Sequence, residues 1–209
     1  MFSQVRAAVV AFVVLSLITG VIYPAVVTGI AQLCFSQTAN GSVIVRDGVP
    51  VGSELIGQPF TQPGYFWSRP SATSPFPYNS GSSSGSNLGP SNNNLVTAVA
   101  DRIKALRDAD PKQDNRLVPV DLVTTSASGL DPHISPAAAE YQIPRVAKAR
   151  KISEQQTGEL VAEATQSRTW GVLGEPRVNV LLLNLALDRV TMNAAATAAS
   201  TSTSIAPKE

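Results

Sequence analysis

One cysteine, Cys34, and one histidine, His133, are all that the 209 residues hold of either type. A lone cysteine excludes an internal disulfide. The pair together supplies too few ligands for a zinc centre of the usual Cys/His kind. An excess of charge is missing too. The formal net charge is +1, which argues against a nucleic-acid partner, since such chains carry a clear basic surplus. There is no G-x-x-x-x-G-K-[ST] loop, no G-x-G-x-x-G between a strand and a helix, and no D-x-D-x-D-G-type calcium loop. No self-contained nucleotide or metal site is therefore expected.

What is present begins with an uncharged run from Ala7 to Phe35, "AAVVAFVVLSLITGVIYPAVVTGIAQLCF". As a helix it would rise roughly 43 Å at 1.5 Å per residue, against a hydrocarbon core about 30 Å thick. It reads as an uncleaved anchor, spanning over 7–33. A removed signal peptide would have a shorter apolar region and a small-residue cleavage site. Leu33 is too bulky to precede a lipoprotein cysteine at 34. Pro24 falls inside the span, its ring opposed to the carbonyl of Gly20, so a kink is expected. Ser16 and Gly20, then Ala25 and Gly29, are small residues four apart, a spacing that lets another helix approach. Arg6 precedes the run, and the next charges are Arg46 and Asp47. That bias puts residues 1–6 in the cytoplasm and the rest of the chain outside it.

The exported part, 34–190, is expected to be one α+β domain of short strands and several helices. "SVIVRDGVPVG" reads as a hairpin turning at Asp47-Gly48. Tyr65, Phe66 and Trp67 read first as a packed aromatic strand, second as a contact surface. Residues 77–94, "PYNSGSSSGSNLGPSNNN", read by composition as a linker. A helix follows, capped by an asparagine, with Leu95, Val99, Ile103 and Leu106 on one face and Pro111 at its end. "LVPVDLVTTS" alternates like a strand. Ser135 is placed to cap a helix with Pro136 first inside it, and Pro144 is expected to divide that helix in two. Arg145, Lys148 and Lys151 are read as sharing a solvated face, with phosphate or acidic groups as the sharper alternative. Ser153 and Gln156 fit a capping box. "VNVLLLNLALDRV" reads as a buried helix capped by Asn179, and 191–209 as a disordered tail.

Gly81-Ser82-Ser83-Ser84-Gly85 matches G-x-S-x-G, with Asp131 and His133 later in hydrolase order. The context is wrong for a nucleophile elbow, because two prolines precede it and more Gly and Ser follow. An anchored exported serine hydrolase acting on cell-wall or ester substrates is kept only as the alternative function. His133 reads as a polar turn residue.

Three long stretches carry a resemblance: "GSELIGQPFTQPGYFWSRPSAT", "PYNSGSSSGSNLGPSN" and "VPVDLVTTSASGLDPHISPAAAEYQIPRVAKAR". With "LITGVIYPAV" in the span, they closely resemble the C subunit of the Kdp potassium-transporting P-type ATPase. The likeness runs from the anchor to about Val190. It implies a non-catalytic accessory subunit of the inner membrane, and no DKTG phosphorylation motif occurs here. The implied partners are a channel-like potassium-translocating subunit, a P-type ATPase subunit, a small single-span subunit and membrane lipid. It implies no cofactor of the chain's own. It does imply a catalytic chaperone that raises ATP affinity, with Gln142 matching a glutamine linked to nucleotide. The orientation drawn above sets the domain on the side away from cytoplasmic ATP, so direct contact by Gln142 would require the reverse orientation. The resemblance also turns the Gly/Ser/Asn stretch from a linker into an ordered loop, with Gly81–Asn94 using glycine for positive φ and Ser and Asn for internal hydrogen bonds.

Overall fold

The computed structural model describes residues 2–113 and 115–203, the side chains of 113 and 193–203 lying outside that description. The chain forms two compact units, Met1–Ser53 and Glu54–Glu209.

The first unit opens with helix α1 (Phe2–Leu17), passes through a π-helical turn at Ile18–Ile22, and continues as α2 (Tyr23–Cys34). Together they make a 33-residue apolar helix long enough to cross a membrane, with none of its apolar window buried. Proline explains the π turn. Pro24 has no N–H to give and crowds the carbonyl four residues back, and the wider turn just before it absorbs that mismatch without ending the helix. After a short helix α3 (Ser36–Ala39), strands β1 (Val43–Arg46) and β2 (Val49–Ser53) pair antiparallel with Arg46 opposite Val49. Asp47 and Gly48 between them have φ of 51° and 78°, the two positive values that a tight hairpin requires. The hairpin is as the sequence predicts.

The second unit is α+β. Helix α4 (Asn93–Ala109) starts where the Asn92 side chain accepts the Asn94 N–H. It turns Leu106 into the core, with Val99 and Ile103 packed beside it. Short strands β3 (His133–Ile134), β4 (Thr165–Gln166) and β5 (Arg177–Asn179) form an antiparallel sheet in the order β3-β5-β4. Helices α5 (Pro136–Arg150), α6 (Glu154–Ala164) and α7 (Val180–Thr203) complete the unit. Three caps follow the sequence reading: Ser135 Oγ accepts Ala138 N–H, Ser153 and Gln156 form a capping box, and Asn179 Oδ1 accepts Leu182 N–H. α7 is helical to Thr203, whereas the expected disordered tail begins at 191. Residues 204–209 lie outside the described residues.

Four local expectations are corrected. Residues 117–126 form no strand. Val120–Leu122 make a single 3-10 turn that buries Leu122, and the Asp121 carboxylate there accepts the Ser135 N–H at 2.7 Å. The Asp side chain holds this segment against the start of α5, so no ladder partner is needed. α5 is one helix through Pro144. Tyr141 and Gln142 before the proline, and Arg145 and Val146 after it, are all buried. That packing outweighs a lost hydrogen bond, and Glu140, whose carbonyl loses its partner, is exposed. The three basic residues share no face: Arg145 is buried while Lys148 and Lys151 are exposed. Successive three-residue steps drift about 60° each around a 3.6-residue helix, and Lys151 already has left the helix at φ 58°. His133 sits in β3, opposite Asn179, rather than in a turn.

Candidate functional site

The feature that organises the second unit is a clamp on residues 63–67. No strand forms there. Side-chain amides take the place of a ladder partner. Gln142 Oε1 accepts the Trp67 N–H at 2.7 Å, and Gln142 Nε2 donates to Trp67 O at 3.2 Å. One residue earlier, Asn184 Oδ1 accepts the Phe66 N–H at 2.8 Å and Asn184 Nδ2 donates to Phe66 O at 3.0 Å. Thus α5 and α7 each supply one amide that mimics a backbone peptide, and two consecutive residues are paired by them. Phe66, Gln142 and Asn184 are all essentially fully buried.

Two arginines finish the clamp. Arg145 Nη1 donates to Pro63 O at 2.6 Å and Tyr65 O at 3.0 Å, and its Nη2 donates to Gln142 Oε1 at 2.7 Å. Its guanidinium lies 4.2 Å from the Trp67 ring centre. Burial pulls its pKa down to about 10, with Asp110 opposing, so it remains charged at neutral pH. Arg150 Nε donates to Gly64 O at 2.7 Å and its Nη2 meets Asp188 Oδ1 at 2.7 Å, with the Tyr65 ring centre 4.4 Å away. The aromatic run is therefore neither a strand nor a bare contact surface. Its outer edge is half open: Phe60, Trp67, Leu106, Leu122 and Arg102 line a cavity of about 270 Å³.

The resemblance singles out Gln142, and the structure puts it at the centre of this clamp. It is 1 % exposed. Its oxygen accepts from Trp67 and Arg145 and its nitrogen donates to Trp67 O and Ala138 O, which fills the four hydrogen bonds an amide side chain can make. Asn184, Arg150 and Asp188 were missed in the sequence. An asparagine inside the apolar run "LLLNLALD" was the available signal, because a buried amide must find partners.

The G-x-S-x-G residues lie in a loop, with no strand before them and no helix directly after. Ser83 Oγ donates to Ser128 O at 3.0 Å. Asp131 is engaged elsewhere: Oδ2 takes Arg69 Nη1 at 3.1 Å and Oδ1 takes the His133 N–H at 3.0 Å, with His133 Nδ1 3.5 Å away. Among the described residues, no hydrogen bond joins Ser83 to His133, and no group of three His, Cys, Asp or Glu side chains is placed to hold a metal. Burial pushes the Asp131 carboxyl up, but hydrogen bonds from His133 and the charge of Arg69 outweigh it and leave the pKa below its ordinary value. A lowered folded pKa means that Asp131 contributes stability above about pH 4, and that this is lost as pH falls through the folded value. Asp131→Asn should accordingly flatten the loss of urea midpoint between about pH 5 and pH 3, measured on the full chain in detergent.

The Gly/Ser/Asn stretch is ordered. Ser71 Oγ donates to Gly129 O and accepts the Tyr78 N–H at 2.9 Å; Asn79 Oδ1 accepts the Gly81 N–H at 3.0 Å; Ser84 N–H donates to Ser128 O at 2.9 Å. The reason for glycine is not the one expected. Gly85 is outside the positive-φ region, but a Cβ there would lie 2.8 Å from Ala127 O. Gly129, across from it, does need φ of 67°, and a Cβ there would lie 2.5 Å from Ser84 O. Two backbones touch, and only glycine allows it.

Among the described residues there is one helix long and apolar enough to cross a membrane, and in the α+β unit the buried amides of Gln142 and Asn184 are committed to the chain's own backbone. Comparison with known families assigns the chain. The family model described as K+-transporting ATPase, c chain, matches residues 5–189, and the chain belongs to that family. Among similar proteins, the potassium-transporting ATPase KdpC subunit of Dechloromonas aromatica is 60 % identical over 191 residues, 91 % of this chain and 99 % of that one. Its namesake in Polaromonas naphthalenivorans is 62 % identical over 183 residues, 88 % and 93 % of the two chains. That of Methylococcus capsulatus is 57 % identical over 188 residues, 90 % and 98 %.

Proposed function

We propose that this chain is the non-catalytic accessory subunit of an ATP-driven potassium uptake complex. It is anchored by α1 and α2 with its N-terminus in the cytoplasm, and its second unit stands outside. Its partners are the channel-like subunit, the ATPase subunit and a small single-span subunit. The observation that carries this reading is the match over residues 5–189, which takes in anchor and clamp alike. The geometry supports an assembly role: the polar side chains at the centre of the domain hold Pro63–Trp67 in one shape, rather than converging on a reactive cleft. Gln142 acts as a positioning residue in this reading. Any effect of it on nucleotide affinity passes through the segment it holds, because a direct contact would first have to break its four hydrogen bonds.

The experiment is in two parts. The tagged full chain, extracted in mild detergent from cells limited for potassium, should bring down the ATPase and channel-like subunits. Protease added to intact spheroplasts should digest the 54–209 unit and leave a fragment of the anchor. A domain that stays protected while a periplasmic control is cut would place it in the cytoplasm and restore direct ATP contact. A chain that comes down alone would remove the subunit reading itself.

A further inference from the structure

Arg102, Ala105 and Leu106 stand three and four residues apart on α4 and so turn to one side of it. That side looks into the cavity of about 270 Å³ beside the clamp, whose apolar lining is completed by Phe60, Trp67, Pro70 and Leu122. Leu106 and Leu122 are buried there. One charge meets this surface. Arg102 Nη1 donates to Val123 O at 2.7 Å, which spends one of the five N–H groups of a guanidinium. Arg69, Arg150 and Arg168 each meet a carboxylate at 3.1 Å or less. Arg102 meets none among the described residues. No carboxylate lines the cavity, and Asp101 and Asp108, its acidic neighbours on α4, are exposed outside it. Burial pulls the Arg102 pKa below its ordinary value, with no acidic group to raise it again. A half-buried cation facing apolar surface is thus left without a counterion.

We propose that this cavity binds a small amphiphilic carboxylate, its anionic end paired with Arg102 and its ring or short chain laid against Phe60, Trp67 and Leu122. The inference goes beyond the accessory-subunit reading and stands apart from it. Charge complementarity names the anionic end. The remaining N–H groups of the guanidinium form the planar fork that takes a carboxylate two-handed. The other polar lining residues, Thr61 and Ser68, are uncharged. Volume limits the body of the ligand, because pockets for drug-sized molecules run from roughly 300 to 1,000 Å³. The rim favours a small molecule over a protein surface: beside Ala105, the exposed residues of this part of α4 are Asp101, Lys104 and Asp108, so the apolar surface ends where the cavity does. Trp67 belongs to cavity and clamp alike. An occupant therefore packs directly on the segment that Gln142 holds and stabilises it by mass action.

The test titrates 3-phenylpropanoate calorimetrically into the full chain in nanodiscs of zwitterionic lipid, with empty nanodiscs subtracted. Binding should saturate with a Kd of about 1 mM or tighter, the range open to so few atoms. On the parental chain, 3-phenylpropan-1-ol keeps the ring and loses the charge. It should bind at least about tenfold more weakly, the loss of one charged contact. Arg102→Met should weaken 3-phenylpropanoate by a similar factor. Ala105→Trp, at an exposed lining position, should fill the cavity and abolish binding. No saturable heat, an alcohol that binds as well as the acid, or binding unchanged in either variant overturns the proposal. The alcohol arm needs no variant to fold. The same titration of the assembled complex separates a small ligand from a protein one. Binding there as on the chain alone supports the proposal. Binding to the chain alone gives the cavity to another subunit and overturns it.

Discussion

Arg145→Met should destabilise the second unit by about 2–4 kcal/mol. The substitution keeps much of the side chain's length and removes every donor. Pro63 O, Tyr65 O and Gln142 Oε1 each lose a hydrogen bond from a charged group, and Trp67 loses the cation on its face. A hydrogen bond to a charged group contributes about 1.5–3 kcal/mol, but Gln142 Oε1 keeps the Trp67 N–H and Pro63 is exposed, so the three losses amount to less than their sum. Against this, a desolvated charge disappears, which offsets part of the loss. Lys148→Met, three residues on and exposed, serves as the control and should change stability by no more than about 0.5 kcal/mol. Urea unfolding of the full chain in detergent, followed by tryptophan emission, reads both. Equal midpoints for the two variants would mean that the clamp does not hold the 63–67 segment.

Gly85→Val should be the second large effect, about 1–3 kcal/mol, because an inserted side chain must force packed backbone apart. The contacts at 2.8, 3.2 and 3.3 Å are all with the main chain of Ala127, which has no rotamer to change. Separating the two segments would also break Ser84 N–H to Ser128 O. Ser83→Ala, two residues away, removes one exposed hydroxyl bond and should cost no more than about 1 kcal/mol. It should also leave potassium uptake near the parental rate. Limited proteolysis gives the readout: the valine variant should be cut between residues 79 and 92 under conditions that spare the alanine variant. Equal resistance would return the stretch to a plain tether.

These two sites show where sequence reading succeeds and where it stops. Caps at Ser135, Ser153 and Asn179, and one by an asparagine at the start of α4, are legible because each depends on one side chain and the next turn of helix. So is the Asp47-Gly48 turn, whose residues answer a local backbone demand. The strand expected over 117–126 and the break expected at Pro144 failed for the opposite reason: tertiary partners, Asp121 against Ser135 in one case and burial on both sides of the proline in the other, decide those conformations. The clamp could not be read at all from periodicity. Its members are 75 to 118 residues apart in the chain, and their pattern is neither a strand's nor a helix's. The loop was recognised as ordered by resemblance, yet the physical reason assigned to Gly85 was wrong. Positive φ is a property of one residue, but close approach of Ala127 belongs to two segments and appears only in three dimensions.

On the proposed reading, this chain contributes structure and contact, not chemistry, to a potassium-transporting ATPase. Potassium-stimulated ATP hydrolysis by the complex purified with and without this chain, both in the same lipid, tests it most directly. The complex lacking the chain should lose most of its stimulated activity and regain it when the purified chain is added back, and the chain alone should hydrolyse neither ATP nor a generic ester. Full stimulated activity without the chain, or hydrolysis by the chain alone that Ser83→Ala abolishes, would contradict it.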